Sequence, residues 1–378
     1  MRVMMLGLRA AYGAQGGIET HVRDIAAGLA QHYGDSGEIE VVERGRFVPR
    51  GRVLPAELKP LRLRQIWCPD SSKLEAIVHT SLATGYAIFR RPDITHYHGI
   101  GPSLLAPVAK LFGLRVVVTH HGEDYARDKW GSFAKMTLRV GEWCAARFSD
   151  ARIVIAPGLD RKLLGKFQKD FHYIPNATPK LLSVGPGSNL LKHALTPQKY
   201  LIHIGRIVPE KCQMDILEAF SSIDTDCKLV FVGDSDHDSA YGREFKAKAA
   251  KDGRVVLTGS VDRAAVSELL SNAAGFLLPS THEGLPIALL EAMSLNLPVA
   301  ISDIPSLKAL GLPAECYVSP RDIGAIREGI ERMVSATEKP RPDWSHYLES
   351  YKIDTVIERT IGVYHQALNG RRARKIRK

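Results

Sequence analysis

Short apolar runs alternate with amphipathic stretches along the first half of the chain. The apolar runs are rich in Val and Ile, as buried strands are, and between them apolar residues recur at the three- and four-residue spacing of one helix face. Strands that alternate with helices in this way indicate a parallel sheet covered by helices. The predicted strands are 2–8, 38–42, 93–97, 116–119, 151–156 and 171–174, and the predicted helices are 18–32, 72–90, 104–112 and 133–148.

The alternation stops over residues 175–198, which are rich in turn-forming Pro, Gly, Asn and Ser, and this break predicts a domain boundary. A second set of elements follows. Its predicted strands are 200–204, 228–232, 254–257, 275–278 and 299–302, and its predicted helices are 213–221, 241–251, 263–271, 286–295, 320–335 and 353–368. We therefore predict two doubly wound α/β domains, which would face each other across a ligand-binding cleft. The predicted divisions are an N-terminal domain (1–178), a linker (179–198), a C-terminal domain (199–352) and a final helix with a tail (353–378).

The composition is that of a globular protein. Of the 378 residues, 45% are hydrophobic and 24% are charged, and this length suits two domains. No apolar run approaches the roughly 20 residues that span a bilayer, and residues 1–8 are too short for a signal peptide. The five cysteines are odd in number and lack the spacing of a disulfide framework or a zinc site. We expect a cytoplasmic protein with reduced thiols.

The net charge of +10 is concentrated in two segments. Between Arg44 and Arg64, seven basic residues and one acid are interleaved with apolar side chains, and residues 371–378 form a basic tail. Basic and apolar residues together suit an anionic membrane surface, at about 1 kcal/mol per basic residue. Nucleic acid and a merely solvated positive face are the alternatives. We expect peripheral contact with the cytoplasmic membrane and no nucleic-acid partner.

The most informative motif is Thr281-His282-Glu283-Gly284-Leu285-Pro286, followed by an apolar run to Glu291-Ala292-Met293. Gly284 allows close approach of a ligand to the backbone, and Pro286 suits the first position of a helix. The N–H groups at that helix start could receive a diphosphate, while Glu283 could hold hexose hydroxyls and Glu291 a ribose diol. This is the layout of a nucleotide sugar. The simpler alternative is an ordinary amphipathic helix with one Glu in its first turn and another on an exposed face.

Further loops that follow predicted strands could contact an anion. Gly205-Arg206-Ile207-Val208-Pro209-Glu210-Lys211 supplies two cations, and Gly13-Ala14-Gln15-Gly16-Gly17-Ile18-Glu19-Thr20 leads into a helix. The second loop is neither a GxGxxG fingerprint nor a Walker loop, and the acid expected for a ribose is missing, which disfavours a dehydrogenase. Val232-Gly233-Asp234 could place backbone against a ligand, although a simple Gly-Asp turn is the commoner explanation.

Two polar clusters remain. His120-His121-Gly122-Glu123-Asp124 ends a strand, so His121 could line the cleft, although satisfied structural histidines are commoner. Asp234-Ser235-Asp236-His237-Asp238 has the composition of a metal-binding cluster, but an acidic surface loop explains it better, and we assign no metal site.

Taken in order, these motifs resemble those of the family 4 retaining glycosyltransferases, which have the GT-B architecture. The motifs are Gly16-Gly17-Ile18-Glu19, His121-Gly122-Glu123-Asp124, Gly205-Arg206 with Glu210-Lys211, Val232-Gly233-Asp234, and Glu283-Gly284-Leu285-Pro286 with Glu291. GT-B proteins have two facing Rossmann-like domains, and their last helix crosses back to the first domain, as residues 353–368 could do. Tyr125-Ala126-Arg127-Asp128-Lys129-Trp130 is similar to a branch that acts on bacterial surface polysaccharide or lipopolysaccharide.

The resemblance implies a role for each matching position. Arg206 and Lys211 would bind the donor diphosphate and stabilise the departing phosphate. Glu283 would hold hydroxyls of the donor sugar, Glu291 the ribose, and His121 the transferred sugar near its reacting carbon. The other implied donor-binding residues are Gly16, Gly17, Asp124, Gly205, Gly233, Gly284 and Leu285. The donor would be linked to UDP or GDP, and enzymes of this kind generally need no metal or other cofactor.

Two positions depart from the family pattern. Cys212 stands where the family often has Gly after the Lys, which makes the fit of that loop less certain. Asn296 replaces the Gly that usually follows the helix of the second Glu. Because Asn tolerates a left-handed backbone, we expect that helix end to be preserved.

We therefore predict a retaining glycosyltransferase that moves a sugar from a nucleotide donor to a lipid-linked or growing glycan. One alternative is a nucleotide-sugar epimerase of the same architecture, which would act without an acceptor. Another is a non-catalytic sugar-nucleotide-binding protein, which the intact Arg206, Lys211, Glu283 and Glu291 argue against.

Overall fold

The computed structural model describes residues 1–13, 16–71, 74–123, 125, 131–179, 181, 183–235, 239–335 and 340–376, with side chains as far as residue 369. The chain divides into two compact units. The first consists of Met1–Ala177 together with Tyr351–Lys378, and the second is Thr178–Ser350.

The first unit is built on a seven-stranded parallel sheet. Its strands are β1 (Arg2–Leu6), β2 (Glu38–Arg44), β3 (Arg62–Ile66), β4 (Ile94–His98), β5 (Val116–His120), β6 (Ala151–Val154) and β7 (His172–Tyr173). Its first helices are α1 (Gly17–Tyr33), α2 (Glu75–Arg90), α3 (Ala106–Leu111), α4 (Ser132–Phe148) and α5 (Leu159–Phe167). The strand order is β3-β2-β1-β4-β5-β6-β7. The sheet contributes to one apolar cluster with α1 and to another with α2, α3 and α4, as in a doubly wound fold. A smaller cluster joins Val154 of β6 to α5.

The second unit has a six-stranded parallel sheet of order β10-β9-β8-β11-β12-β13. Its strands are β8 (Tyr200–Ile204), β9 (Lys228–Val232), β10 (Val255–Gly259), β11 (Gly275–Leu278), β12 (Val299–Ser302) and β13 (Tyr317–Val318). Its helices are α6 (Ser188–Lys192), α7 (Gln213–Ser221), α8 (Ala240–Ala249), α9 (Arg263–Ser271), α10 (Ile287–Ser294), α11 (Pro305–Lys308), α12 (Ile323–Ser335) and α13 (Ser345–Leu348). Two apolar clusters again contain this sheet and its helices.

The last helix, α14 (Ile353–Ile376), packs into the first unit. Val356, Ile357 and Tyr364 are buried in the same apolar cluster as α1. Gly28 of α1 lies directly against Ile357, because a Cβ atom at position 28 would come within 2.7 Å of that side chain. This helix is therefore part of the core of the first unit. Its buried apolar surface stabilises the fold by roughly 25 cal/mol per Å² removed from water.

The structure differs from the sequence analysis in several elements. Residues 62–66 form the edge strand β3. This strand was not predicted, because its arginines alternate with apolar residues within a segment that was interpreted as a basic surface. Helix α5 and strand β13 were not predicted. The stretch 179–198, predicted as a linker, is grouped with the second unit and contains α6, whose Leu190 is buried in the core together with Leu195.

Among the described residues, no helix combines the length and the apolar character that crossing a bilayer requires.

Gly141 tests how closely α4 approaches the loop after β4. A Cβ atom at Gly141 would lie 2.0 Å from the carbonyl oxygen of Ile100, whereas Gly85 of α2 faces open space. We expect Gly141→Ala to lower the free energy of unfolding by about 1–3 kcal/mol through overpacking. The matched Gly85→Ala should raise it by up to about 1 kcal/mol, because Ala favours a helix over Gly. Urea unfolding measures both changes, and a Gly141→Ala variant as stable as the wild type would contradict the close packing.

Candidate functional site

Each sheet reverses its strand order beside its first strand, at β1 and β4 in the first unit and at β8 and β11 in the second. Doubly wound sheets bind ligands at the carboxyl ends of the strands at this point. In the second unit, the loop after β8 carries Arg206 and Lys211, and the loop after β11 carries Glu283. The topology alone therefore brings these sequence-predicted residues to one edge of the sheet.

Lys211 and Glu283 are in direct contact. Lys211 Nζ donates to Glu283 Oε1 at 2.5 Å, across 72 positions of sequence. Their side chains are only 17% and 10% exposed, so solvent screens the pair less than it screens a surface ion pair. The site thus contains a cation held beside a carboxylate.

Hydrogen bonds join the two loops around this pair. The backbone N–H of Thr281 donates to the carbonyl of Glu210 at 2.9 Å. Ser306 Oγ donates to the carbonyl of Glu283 at 2.8 Å, and Gln213 Nε2 donates to the carbonyl of Arg206 at 2.7 Å. The backbone on both sides of the ion pair is therefore fixed, which reduces the entropy lost when a ligand binds.

Gly205 and Gly233 allow the ends of β8 and β9 to approach closely. Gly233 has φ +124°, a region that favours glycine, and a Cβ atom there would lie 2.2 Å from the carbonyl oxygen of Gly205. The Gly205 N–H donates to the carbonyl of Val232 at 2.9 Å. Any side chain at position 233 would push the Arg206 loop away from its place.

Helix α10 begins one residue later than predicted. Ile287 is its first residue, and Pro286 is the N-cap with an extended backbone (ψ 124°). Leu285 is buried, and Gly284 lies between it and Glu283 at the helix start. The first turn of an α-helix leaves N–H groups without intrahelical partners. Glu291 is buried at 8% exposure, so the simpler interpretation that places it on an exposed helix face is wrong.

Both departures from the family pattern adopt the left-handed backbone that glycine would. Cys212 has φ 56° and Asn296 has φ 55°. The N–H of Asn296 donates to Met293 at 2.9 Å and that of Leu297 to Ala292 at 3.1 Å, so the end of α10 is preserved as predicted. Cys212 keeps the turn between Lys211 and α7.

Two polar residues behind the ion pair, His203 and Gln213, were missed. Burial and the nearby Lys211 lower the pKa of His203 to about 4, so its ring is neutral at pH 7. His203 Nδ1 donates to the carbonyl of Leu277 at 2.9 Å, and Nε2 faces Gln213 Nε2 at 3.4 Å. No sequence pattern marks a buried His in a strand as a support for a loop, although its place one residue before the end of β8 is a weak signal.

In the first unit, α1 begins at Gly17 with Gly16 as its N-cap. A Cβ atom at Gly16 would lie 2.1 Å from Glu19 Oε2, whereas Gly17 has open space around it. Glu19 accepts hydrogen bonds from the backbone N–H of Arg9 at 3.2 Å and from Arg9 Nε at 3.0 Å. A cation that the sequence did not single out, Arg9, therefore lies beside the predicted anion-accepting turn.

His121 follows β5 and is half-buried. Burial and the neighbouring histidines hold the pKa of His121 well below its usual value, so the ring is neutral at pH 7. The loop after it is anchored by His120, whose Nδ1 accepts from the Gly122 N–H at 3.2 Å. His120 Nε2 therefore carries the proton and donates to Glu142 Oε1 at 3.0 Å.

The fully buried Glu142 is the centre of a polar network beneath this loop. It also accepts from Tyr125 Oη at 3.1 Å and from Lys166 Nζ at 2.5 Å. Burial alone would raise the pKa of Glu142, but hydrogen bonds from His120 and Lys166 outweigh it and hold the pKa below its usual range. Glu142 lies within a predicted helix and gave no sequence signal of this role.

Some predicted positions lie outside the described residues. Asp124 is one of them, as are residues 126–130 of the polysaccharide-type motif and residues 236–238 of the acidic cluster. Asp234 is described, and it pairs with Lys246 Nζ at 2.8 Å, which suits an acidic surface loop.

Comparison with known families assigns both halves of the chain. Residues 15–179 match the family described as Glycosyltransferase Family 4, and residues 192–348 match Glycosyl transferases group 1. The two parallel sheets and these matches define a glycosyltransferase of the GT-B class. The chain belongs to glycosyltransferase family 4, with a group 1 C-terminal domain.

Individual proteins agree with this assignment. The chain is 27% identical over 305 residues to a putative teichuronic acid biosynthesis glycosyltransferase, TuaC, of Bacillus subtilis, a match that covers 76% of this chain and 70% of TuaC. It is 25% identical to the GDP-mannose:cellobiosyl-diphosphopolyprenol alpha-mannosyltransferase of Xanthomonas campestris over 93% of this chain and 94% of that protein. The structure of Anabaena HepE in complex with UDP and glucose has the same fold, with a TM-score of 0.74 at 16% identity, over 96% of this chain and 98% of HepE.

Proposed function

We propose that this glycosyltransferase is a retaining, metal-independent enzyme that transfers a sugar from a UDP- or GDP-linked donor to a lipid-linked or growing glycan. The contact between Lys211 and Glu283 at the carboxyl edge of β8 and β11 carries the proposal. The Xanthomonas relative is named for GDP-mannose and a diphosphopolyprenol acceptor, and HepE was solved with UDP and glucose. These names support both donor classes.

The donor diphosphate is assigned to Arg206, Lys211 and the start of α10. Lys211 is a compact point charge that can contact phosphate oxygens, and Arg206 can bind them in a bidentate manner. The N–H groups and the positive dipole end of α10, which follows Gly284 and Leu285, can also bind the phosphate oxygens. All of these groups belong to the second unit.

The two glutamates are assigned to the two sugars of the donor. Glu283 contacts Lys211, the cation that we assign to the diphosphate. Its carboxylate can therefore accept hydrogen bonds from hydroxyl groups of the transferred sugar. Glu291 lies on the second turn of α10, and we assign it to the ribose. From the first unit we assign Gly16, Gly17 and Asp124 to the donor and His121 to the transferred sugar, as the family resemblance implies. Gly205 and Gly233 keep the loop backbone in place.

In the proposed reaction, the bond between the anomeric carbon of the sugar and the diphosphate oxygen breaks while the acceptor hydroxyl attacks the same face. The acceptor proton passes to the departing phosphate oxygen, so no protein nucleophile is required. Arg206 and Lys211 stabilise the charge on the leaving diphosphate, and the fixed loops supply orientation. The products are the glycosylated acceptor and a nucleoside diphosphate.

Calorimetric titration with UDP and with GDP, in excess chelator, tests the donor site. We expect micromolar binding of one nucleotide without metal. Lys211→Ala should weaken it at least about tenfold, because a hydrogen bond to a charged group contributes about 1.5–3 kcal/mol. The exposed Lys251→Ala is the matched control and should bind as the wild type does. If neither nucleotide binds, or if Lys211→Ala binds equally well, the donor site is misassigned.

Glu283→Ala tests the role of the carboxylate in transfer. Because the Ser306 contact uses the backbone carbonyl of Glu283, the variant should fold normally and still bind nucleotide, but transfer to a polyprenyl-diphosphate-linked acceptor should be abolished. The exposed Glu331→Ala serves as control. Normal transfer by Glu283→Ala would refute its role.

The stereochemistry of transfer is tested by NMR of the wild-type product, which should show that the anomeric configuration of the donor is retained. Turnover of the donor without an acceptor would instead indicate an epimerase.

We infer that the enzyme is peripheral on the cytoplasmic membrane face, but the predicted surface needs correction. Within the basic segment, Arg44 and Arg52 are not available to lipid. Arg52 makes two 2.8 Å hydrogen bonds to the buried Glu43, and Arg44 pairs with Glu75 at 3.1 Å. Arg50, Lys59, Arg62 and Arg64 are exposed and can contact lipid, as can the 67%-exposed Trp67.

Helix α4 adds a better-defined surface for an anionic bilayer. Phe133, Met136, Val140 and Trp143 recur at helical spacing and are 87%, 59%, 43% and 49% exposed. The basic residues of α4 include Arg139 and Arg147, and both are exposed, whereas the acidic Glu142 is buried. An apolar helix face with Trp and flanking Arg is typical of interfacial helices that bind anionic lipid.

Vesicle co-sedimentation tests this surface. The double variant Phe133→Ser, Met136→Ser should bind phosphatidylglycerol-containing vesicles at least about tenfold more weakly, because it loses two apolar side chains that each contribute about 1.5–3 kcal/mol when fully buried. Phe89→Ser removes an equally exposed aromatic side chain of α2 and is the control. Equal binding by the double variant and the control would exclude α4 as the membrane surface.

A further inference from the structure

Three histidine side chains meet at the carboxyl edge of the first sheet. His21 lies on α1, His98 ends β4, and His121 follows β5. One ring nitrogen from each residue lies within 4.8 Å of the other two. His98 Nδ1 lies 3.4 Å from His121 Nε2.

A fourth histidine holds this cluster in place. His96 Nδ1 contacts Tyr364 Oη and His96 Nε2 contacts Thr119 Oγ1, both at 2.8 Å, so both of its nitrogens are occupied. Its ring lies against that of His98, with 4.1 Å between the centroids. The position of His98 is therefore set by packing against an anchored neighbour.

The cluster contains buried nitrogens that lack partners. Within the described part of the chain, His21 Nδ1 and His98 Nε2 are buried without a hydrogen bond. Such atoms are rare because leaving a buried polar group unsatisfied costs about 1–3 kcal/mol. A ligand at the cluster would supply a partner for His21 Nδ1, whereas His98 meets His121 through its other ring nitrogen, Nδ1.

All three rings are neutral at pH 7. Burial lowers the pKa of His21 to about 4, against opposing effects of a hydrogen bond with Asn176 and of Asp24. Burial and neighbouring histidines hold the pKa values of His98 and His121 well below the usual value.

We propose that His21, His98 and His121 form a binding site for a divalent transition-metal ion, specifically Zn²⁺. Zn–N bonds of about 2.0–2.1 Å in a tetrahedral site separate the ligand nitrogens by about 3.4 Å, which equals the distance between His98 Nδ1 and His121 Nε2. The His21 nitrogen lies within 4.8 Å of the other two, so zinc binding requires it to move closer to them. His121 is half-buried, so the ion can reach the site from solvent, and the fourth position is left for water.

The site has a consequence for transfer that rests on the proposed function. Zn²⁺ at His121 occupies the ring that we assign to the transferred sugar. The ion should therefore inhibit transfer, and chelator should restore it. Metal binding itself does not depend on that assignment and is measured separately.

Calorimetry and visible spectroscopy with ZnCl₂ and CoCl₂ on the apo protein test the site. We expect one equivalent of Zn²⁺ to bind and to raise the melting temperature, since ligands stabilise the state that binds them. His21→Asn and His98→Asn should each weaken binding at least about 100-fold, because losing even an outer-shell partner costs about 10- to 100-fold. The exposed His32→Asn is the matched control.

The Co²⁺ spectrum is decisive even if a variant fails to fold. Co²⁺ bound by imidazoles gives d–d absorption without a thiolate-to-metal charge-transfer band. Co²⁺ bound at any of the five buried cysteines would add that charge-transfer band. Thiolate charge transfer in the wild type, or Zn²⁺ affinity unchanged in folded His21→Asn and His98→Asn, would overturn the proposal. Zinc binding without inhibition of an active enzyme would leave the site standing and count against the role of His121 in transfer.

Discussion

The described strands of each sheet run parallel, and the rest of the structure depends on this constraint. Parallel strands end at the same edge, so residues far apart in sequence arrive together there. In the second unit this places Lys211 against Glu283, and in the first unit it places His98 beside His121. Each unit thus concentrates its polar chemistry at one edge while its apolar side chains fill the two faces.

Lys211 and Glu283, which form the ion pair of the second unit, could be singled out from the sequence because glycines mark the loops that carry them. Gly205 and Gly284 identified the loops of Lys211 and Glu283. The supporting residues could not be predicted in this way. His203, Gln213 and Glu142 lie inside strands or helices, where their polar side chains resemble ordinary surface or core positions. Their roles depend on which element packs behind them, and that is a property of the tertiary structure.

The basic segment shows the same limit for electrostatics. Arg44 and Arg52 counted as surface charge in the sequence, but Glu75 and Glu43 neutralise them inside the fold. Glu43 lies directly before Arg44, and alternation along β2 sends the two side chains to opposite faces of the sheet. Edge strand β3 was hidden for a related reason, since its arginines face acids of β2 such as Glu38. The net charge of the segment in the sequence therefore did not predict the charge of the surface that the segment forms.

The place of α14 has a consequence for the order in which the protein can assemble. The second unit is inserted between the two parts of the first, whose core includes Val356 and Tyr364. During synthesis the second unit is complete in sequence before α14 leaves the ribosome. Until then, α1 exposes the apolar surface around Gly28, and His96 lacks the Tyr364 hydroxyl. The unit that is translated first is therefore the one that finishes folding last.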